Sequence, residues 1–522
     1  MSLPARPDHA ALDHAVAALP GRYPGPGGAI AVLRDGAVIA RHAWGWADAE
    51  RRIAFTPETM FLVCSITKQF TCALMLDRFA DPTVLAPDLA RIMPNLSQPG
   101  PGILDLAHNQ SGLRDYWATA MLCGAAVEGG FGPDDAARLI ARTRSLHFAP
   151  GTAYSYVNQN FRILGDLVAH RAGEDFSALL RRRILEPAGL PTARLNADTS
   201  SVPGGTIGYE GSVEAGFRPA VNRIVWTGDA GLAASLDDMI AWEKFIDATR
   251  NDPDGLYNRL SAPVRFRNGD PAGYGFGLAR ATLAGRAATC HGGGLRGWRS
   301  FRCHIAAERL SVVVLFNHMA DPRAATLDLL AALFGETAPM PPPADGPAWD
   351  GHYIEPQSGL AVRIETLPDR RLRLHYATGP DILTATAPGH AAGGGVVLAR
   401  EAAGLRMTRM PDHQSAILQP CEGTPTPDIA GVFHCEELGA TLTFASAGGA
   451  LYGAFSGDLG QGAMQPLIGF APDVWLLPCP RALDYAAPGD WTLSCRRDAA
   501  GKVAAIEVGC WLARHLVFER TP

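Results

Sequence analysis

The segment ETAPMPPPADGPAWDG, residues 336–351, holds five prolines and no apolar period. Proline fixes φ and removes the backbone donor, so neither a helix nor an interior strand can run through such a stretch. The chain must therefore fold as separate units on its two sides. Before it, helical and strand-like periods alternate; after it, short alternating runs between glycines and prolines continue to the end. A second proline-rich junction, CEGTPTPD (421–428), splits the tail into two pieces of similar size. These breaks give a 1–335 unit, a 336–348 linker, a 349–421 unit and a 422–522 unit. A chain of 522 residues, at about 150 residues per domain, agrees with that division.

In the first unit, residues 8–19 read as a short helix and AIAVLRDGAVIARHAWG (29–45) as a β-hairpin turning at Asp35-Gly36. Ser65 opens a helix, SITKQFTCALMLDRFA, whose apolar residues recur near helical spacing. GLAASLDDMIAWEKFIDATR (231–250) reads as another strong helix, RSFRCHIA and LSVVVLFN as strands, and AATLDLLAALFG (324–335) as a closing helix. This order predicts an α/β (α+β) domain in which helices cover an antiparallel sheet. The two tail pieces resemble each other. Gly351-His-Tyr353, Gly359 and LAVRI return as Gly431-Val-Phe433, Gly439 and ATLTF, each 80 residues further on. The repeat predicts two copies of a small antiparallel β-barrel.

A formal net charge of −6 leaves no basic footprint for nucleic acid. No run approaches the ~18 apolar residues of a membrane span. His9, Asp13 and His14 interrupt any signal-peptide pattern, which gives a cytoplasmic expectation. Ten cysteines form no C-x-x-C pair and no zinc spacing, so they are expected as small buried hydrophobes without disulfides. Of 46 lysines and arginines, three are lysine: Lys68, Lys244 and Lys502. Arginine cannot release its proton in a protein and lysine can, so each surviving lysine is a candidate for chemistry.

Three motifs carry that chemistry. Ser65-Ile-Thr-Lys68 places an amine one helical turn from a hydroxyl, where it can take the serine proton. A helix N-cap with an exposed lysine is the simpler alternative, but the flanking MFLVC and FTCALML are too apolar for an exposed helix. Tyr156-Val-Asn158 lies on a loop before the helix that begins FRILG. A phenol near an ammonium can serve as a base, and an amide can bind substrate backbone. His291-Gly-Gly-Gly294, expected at the start of a strand, frees backbone N–H groups for a ligand. An α/β-hydrolase would also need a G-x-S-x-G elbow, which the chain lacks.

Together these motifs, with Asn109-Gln-Ser-Gly-Leu113 and Gly273-Tyr-Gly-Phe-Gly277, resemble the penicillin-recognising serine hydrolases over roughly residues 10–335. That group includes class C β-lactamases, D,D-carboxypeptidases, some esterases and D-aminopeptidases. The resemblance implies a five-stranded antiparallel sheet with flanking helices and an all-helical region carrying Tyr156. One departure matters: where the family commonly has a hydroxyl that helps hold a substrate carboxylate, this chain has Gly292. A carboxylate there loses a hydrogen bond, which argues against recognition of a substrate C-terminus at that position.

A catalytic domain followed by two β-barrels resembles the D-aminopeptidase branch, through GLRDYWA, YGAFSG, DVWLLP and VGCWLAR as well. The resemblance implies hydrolysis of N-terminal D-residues from peptides, amides and esters, and a homodimer. An esterase or β-lactam/D,D-peptide hydrolase on the same scaffold is the alternative. Ser65 is the implied nucleophile. Lys68 and Tyr156 would share the proton transfers, and His291 would support Tyr156 or the leaving group. Asn158 would hold the substrate backbone, and Gly294 would donate to the oxyanion together with Ser65. No metal or cofactor is implied. CPRALDYAAPGD (479–490) has no strand or helix period and reads as a protruding loop. By resemblance it reaches the cleft, with Asp484 as partner of the substrate ammonium and Asp115 and Asp229 as rivals. Ser65→Ala, Lys68→Ala and Lys68→Arg should each fold and each fail to form an acyl-enzyme. Mass spectrometry of the trapped protein checks this, and near-normal turnover of the arginine variant would exclude proton transfer by Lys68.

Overall fold

The computed structural model describes residues 9–335, 349–485 and 488–522, so the linker at 336–348 lies outside the described residues. The N-terminal hairpin joins strands Gly27–Arg34 and Ala37–Asp48. Asp35 and Gly36 both have positive φ, 53° and 74°, as a two-residue hairpin turn that follows the strand twist requires. On its other side Gly27–Arg34 pairs with Leu310–Phe316, the last strand before the linker, so the two ends of this unit close the sheet.

The full sheet runs Tyr274–Gly275, Leu278–Leu283, Arg286–Leu295, Trp298–Ile305, Leu310–Phe316, Gly27–Arg34, Ala37–Asp48 and Ile53–Ala54, with antiparallel neighbours throughout. It therefore has eight strands where the resemblance implied five. Two of them are two-residue edge strands, and the 12-residue strand Ala37–Asp48 is long enough to pair with one of these beyond the hairpin.

Helices cover both faces. His9–Arg22 and Pro322–Phe334 pack on one face through Leu12, Leu19, Leu329 and Leu330, all fully buried. Leu236–Thr249 and Thr67–Arg78 belong to the larger core on the other. The helix expected over 231–250 starts later, because Ser235 and Asp238 form a capping box and Leu232–Ala234 pairs as a strand with Phe61–Leu62. Ser65 likewise sits in a 3₁₀ turn, Cys64–Ile66, ahead of the α-helix Thr67–Arg78. His291-Gly-Gly-Gly294 lies at the end of strand Arg286–Leu295 and not at its start, since the strand begins just after the tight turn at Ala284-Gly285.

The tail starts with a closed eight-stranded barrel in which Gly351–Glu355 pairs back to Gln414–Cys421. The last unit is a ten-stranded antiparallel half-barrel. The 80-residue repeat is visible in the backbone. Gly351–Glu355 followed by Leu360–Thr366 corresponds to Gly431–Cys435 followed by Ala440–Ala447. Gly359 and Gly439 take φ of 68° and 61° at the same turn. All ten cysteines are free thiols, eight of them buried. Among the described residues no helix is long and apolar enough to cross a membrane.

One ion pair ties sheet to helix inside the core. Arg302 Nε and Nη2 donate to the two oxygens of Glu243 at 2.7 and 2.6 Å, with both side chains fully buried. Arg302 Nη1 donates to the Tyr257 hydroxyl at 2.7 Å. Removing one partner leaves a buried charge unpaired, at a cost of about 3–5 kcal/mol. Glu243→Ala should therefore lower the urea midpoint of the first unit by that equivalent, and a loss under about 1 kcal/mol would contradict the role given to the pair.

Candidate active site

Cys64, buried at φ 52°, turns the chain sharply so that Ser65 projects from the 3₁₀ turn while its neighbours stay in the core. A non-glycine residue in the left-handed region costs about 1–3 kcal/mol, and such strain gathers at functional sites. Lys68 follows one turn later and is fully buried. Its Nζ donates to Ser65 Oγ at 2.9 Å, to Asn158 Oδ1 at 3.0 Å and to the Asp229 carbonyl at 2.7 Å. Burial pushes the Lys68 amine down to about 8, against the upward pull of Asp229, Asp115 and Asp484.

Tyr156 lies beside this pair. Ser65 beside its hydroxyl pulls the phenol's pKa down against burial, and Lys68 Nζ stands 5.0 Å from the centre of its ring. Burial holds its phenol well above the usual tyrosine range, which favours the protonated hydroxyl. Asn158 is held by protein at both ends of its amide. Its oxygen accepts from Lys68, and its Nδ2 donates to Asp115 Oδ1 at 3.0 Å. Its amide links the amine to Asp115, and the residue also lines the cleft described below.

His291 is bonded through both ring nitrogens, Nε2 to the Tyr274 hydroxyl at 2.9 Å and Nδ1 to the Gly292 carbonyl at 2.6 Å. Burial first, then the nearby Lys68 charge, pushes it down to about 3. The imidazole is therefore neutral, with Nδ1–H donating and Nε2 accepting. Its ring faces that of Tyr156 at 6.1 Å. Tyr274 had been noted only as part of Gly273–Gly277, and the histidine bond that gives it a place in the site spans 17 residues.

Pairing of Arg286–Leu295 with Leu278–Leu283 ends at Cys290↔Ala279, so His291–Leu295 form a free strand edge beside Ser65. Such an edge offers backbone groups to an extended substrate. Gly293 has room for no side chain, since a Cβ would meet the Val63 carbonyl and Ser300 Oγ at 2.2 Å. At Gly294 a Cβ would fall 2.7 Å from the ring of Tyr485.

Tyr485 comes from the segment expected as a protruding loop, whose residues 479–485 enter the cleft of their own chain. Leu483 is fully buried, Asp484 accepts on its carbonyl from the Arg296 N–H at 3.0 Å, and Arg481 pairs with Glu210. Ser65, Tyr156, Asn158, His291, Gly294 and Asp484 thus line one cleft of ≈ 530 Å³, with Lys68 beneath Ser65. Thr378 from the barrel and Trp511 and Leu512 from the last unit add to its walls.

The three carboxylates differ in what holds them. Asp229 is fully buried; it accepts from the Tyr116 hydroxyl and the Thr227 N–H and does not line the cleft. Asp115 lines it, but accepts from Asn158 N and Nδ2 and from Trp117 N. Asp484 accepts one bond on its carboxylate, from the Tyr485 N–H at 2.7 Å. Desolvation raises Asp115 to about 7 and Asp484 to about 6.

Residues 12–336 match the β-lactamase family, and residues 343–519 match the family described as D-aminopeptidase, domain B. The D-aminopeptidase of Gluconobacter oxydans is 54% identical over 520 residues, covering 98% of this chain and 99% of the relative. That of Brucella canis is 46% identical over 510 residues, covering 98% of each. Among solved structures, the octameric penicillin-binding protein homologue from Pyrococcus abyssi aligns with 98% of this chain and 100% of its own. Its TM-score is 0.52 at 15% identity, a likeness of fold alone. Fold and matches define a hydrolase of the β-lactamase and penicillin-binding class. Within that class the chain belongs to the D-aminopeptidase family.

The tautomer of His291 can be checked directly. Nitrogen-15 NMR of labelled protein should show a neutral ring with Nδ1–H from pH 8 down to pH 5, and protonation near the ordinary histidine value would contradict the buried site described here.

Proposed function

We propose that the protein is a D-stereospecific aminopeptidase that removes N-terminal D-residues, D-Ala among them, from peptides, amides and esters through a Ser65 acyl-enzyme. The observation that carries the reading is the Lys68 amine, fully buried, 2.9 Å from Ser65 Oγ and pushed down to about 8. A neutral fraction of such an amine is available near neutral pH to take the serine proton. Oγ then attacks the scissile carbonyl. The oxyanion is held by the backbone N–H groups of Ser65 and Gly294, each donor worth about 3 kcal/mol in comparable sites. Tyr156, its phenol held high by burial and placed beside Ser65, is suited to protonate the departing amine and to be recharged from Lys68. Water then attacks the acyl-enzyme, and the same groups return the proton to Ser65. His291 stays neutral and holds Tyr274 beside Tyr156.

The free amine is assigned to Asp484. Its carboxylate accepts a single bond, whereas Asp115 is engaged by three N–H groups and Asp229 lies away from the cleft. D-selectivity is carried over from the relatives named above. The reading includes a homodimer, checked by light scattering.

The test compares the p-nitroanilides of D-Ala, L-Ala and N-acetyl-D-Ala. D-Ala should be cleaved at least a hundredfold faster than the other two in kcat/KM, about 2.7 kcal/mol of discrimination. Asp484→Ala should raise KM for D-Ala amides steeply and change little for substrates with a blocked amine. A chromogenic cephalosporin hydrolysed as well as the D-Ala anilide would favour the β-lactam or esterase reading instead.

A further inference from the structure

The cleft also contains two arginines that take no part in the reaction above, Arg299 and Arg323. Arg299 stands directly opposite Gly294 on strand Trp298–Ile305, so its side chain leaves the sheet on the face that Gly294 leaves open. It is half-buried, and its guanidinium lies 4.3 Å from the centre of the Tyr485 ring. Its buried Nε has no hydrogen-bond partner, and no carboxylate pairs with it among the described residues. Arg323 is exposed and likewise without an ion pair. The carboxylate nearest to it in sequence, Asp321, caps the helix Pro322–Phe334 by accepting from the Arg323 N–H at 2.8 Å.

A desolvated donor without a partner is costly, so its retention in a binding cleft calls for a ligand that satisfies it. A guanidinium presents a planar fork that matches a carboxylate, and stacking on an aromatic face fixes the plane of that fork. In a substrate whose ammonium is held at Asp484, the remaining fixed charge lies beyond the scissile bond, on the leaving portion.

We propose that Arg299 binds a carboxylate on the leaving portion of the substrate, so that short D-aminoacyl peptides with a free C-terminus are preferred over the corresponding amides and esters. The inference rests on the aminopeptidase reading and names the substrate class of the same site. It also revises the argument from Gly292. The hydroxyl missing there is replaced by a charged donor on the neighbouring strand, held in place by a residue of the last unit.

The experiment measures kcat/KM for D-Ala-Gly and for D-Ala-glycinamide at low ionic strength, with the full chain and with Arg299→Gln and Arg299→Lys. The wild-type should favour the free acid by about tenfold, mostly through KM, and 0.5 M salt should shrink the ratio. Arg299→Gln should bring the ratio close to one, with Arg299→Lys in between because it keeps the charge and loses the fork. Where Arg299→Gln does not fold, product inhibition of the wild-type decides. Glycine should then inhibit D-Ala amide turnover about tenfold more tightly than glycinamide. Equal use of acid and amide by the wild-type, an undiminished ratio in Arg299→Gln, or equal inhibition by glycine and glycinamide overturns the proposal. A wild-type that cleaves neither D-dipeptide overturns the aminopeptidase reading itself.

Discussion

The Lys68 amine is the point on which the site is assembled. It is fully buried, and its three hydrogen bonds join the turn at Ser65 just before it to two distant parts of the chain, the loop at Asn158 and the carbonyl of Asp229. Desolvation disfavours the ammonium, and three carboxylates in the neighbourhood keep it from falling further than about 8. Arginine could not occupy this position usefully, because it would remain charged and too large for the donor pattern. That is the physical reason for a lysine here in a chain that otherwise uses arginine almost throughout. The same contacts settle the neighbours: Asn158 is turned by Lys68 and Asp115, and Asp115 in turn donates its backbone N–H to the Leu512 carbonyl at 3.0 Å.

The catalytic motifs belong to the first unit, but the shape of the cleft does not. Residues 479–485 place Asp484 and Tyr485 over the strand edge, Thr378 comes from the barrel, and Trp511 with Leu512 closes another side. Gly294 takes part in this arrangement by having no side chain where the Tyr485 ring packs. A scaffold of this class without the two tail units would expose the same serine and amine to a wider range of substrates. On the aminopeptidase reading proposed above, selectivity resides in contacts between units, where loops carry binding groups on a rigid support.

What could be read from the sequence was what local spacing encodes. Ser65 and Lys68 are one turn apart, Asp35-Gly36 is a hairpin turn on its face, and the glycines of the 80-residue repeat take matching φ values because they mark the same turn twice. What stayed hidden depends on contacts between segments far apart in the chain. The Tyr274–His291 bond, the protein-bound amide of Asn158 and the Arg299–Tyr485 stack require the folded sheet and the seated loop. Two of the three extra strands of the sheet were missed because two-residue edge pairings carry no alternating pattern. The early start given to the 231–250 helix came from apolar Leu232–Ala234, which satisfies a helical period and a buried strand equally well.

Burial acts on Lys68 and Tyr156, the two proton-transfer groups of the proposed reaction, in opposite senses, and in that reaction the opposition makes a carboxylate base unnecessary. It disfavours the charged form of each: for Lys68 the charged form is the acid, so its pKa falls, and for Tyr156 the charged form is the base, so its pKa rises. One dry pocket thus yields an amine able to accept a proton and a phenol that keeps one, side by side and both within reach of Ser65 Oγ. The arrangement holds only while no second cation enters. A protonated imidazole at position 291 would repel the ammonium of Lys68 and force its pKa lower still, leaving it too weak a base to pull a proton from serine. In the proposed reaction the neutral state of His291, enforced by burial and by the Tyr274 and Gly292 bonds, is therefore a condition for the Lys68–Tyr156 pair to work near neutral pH.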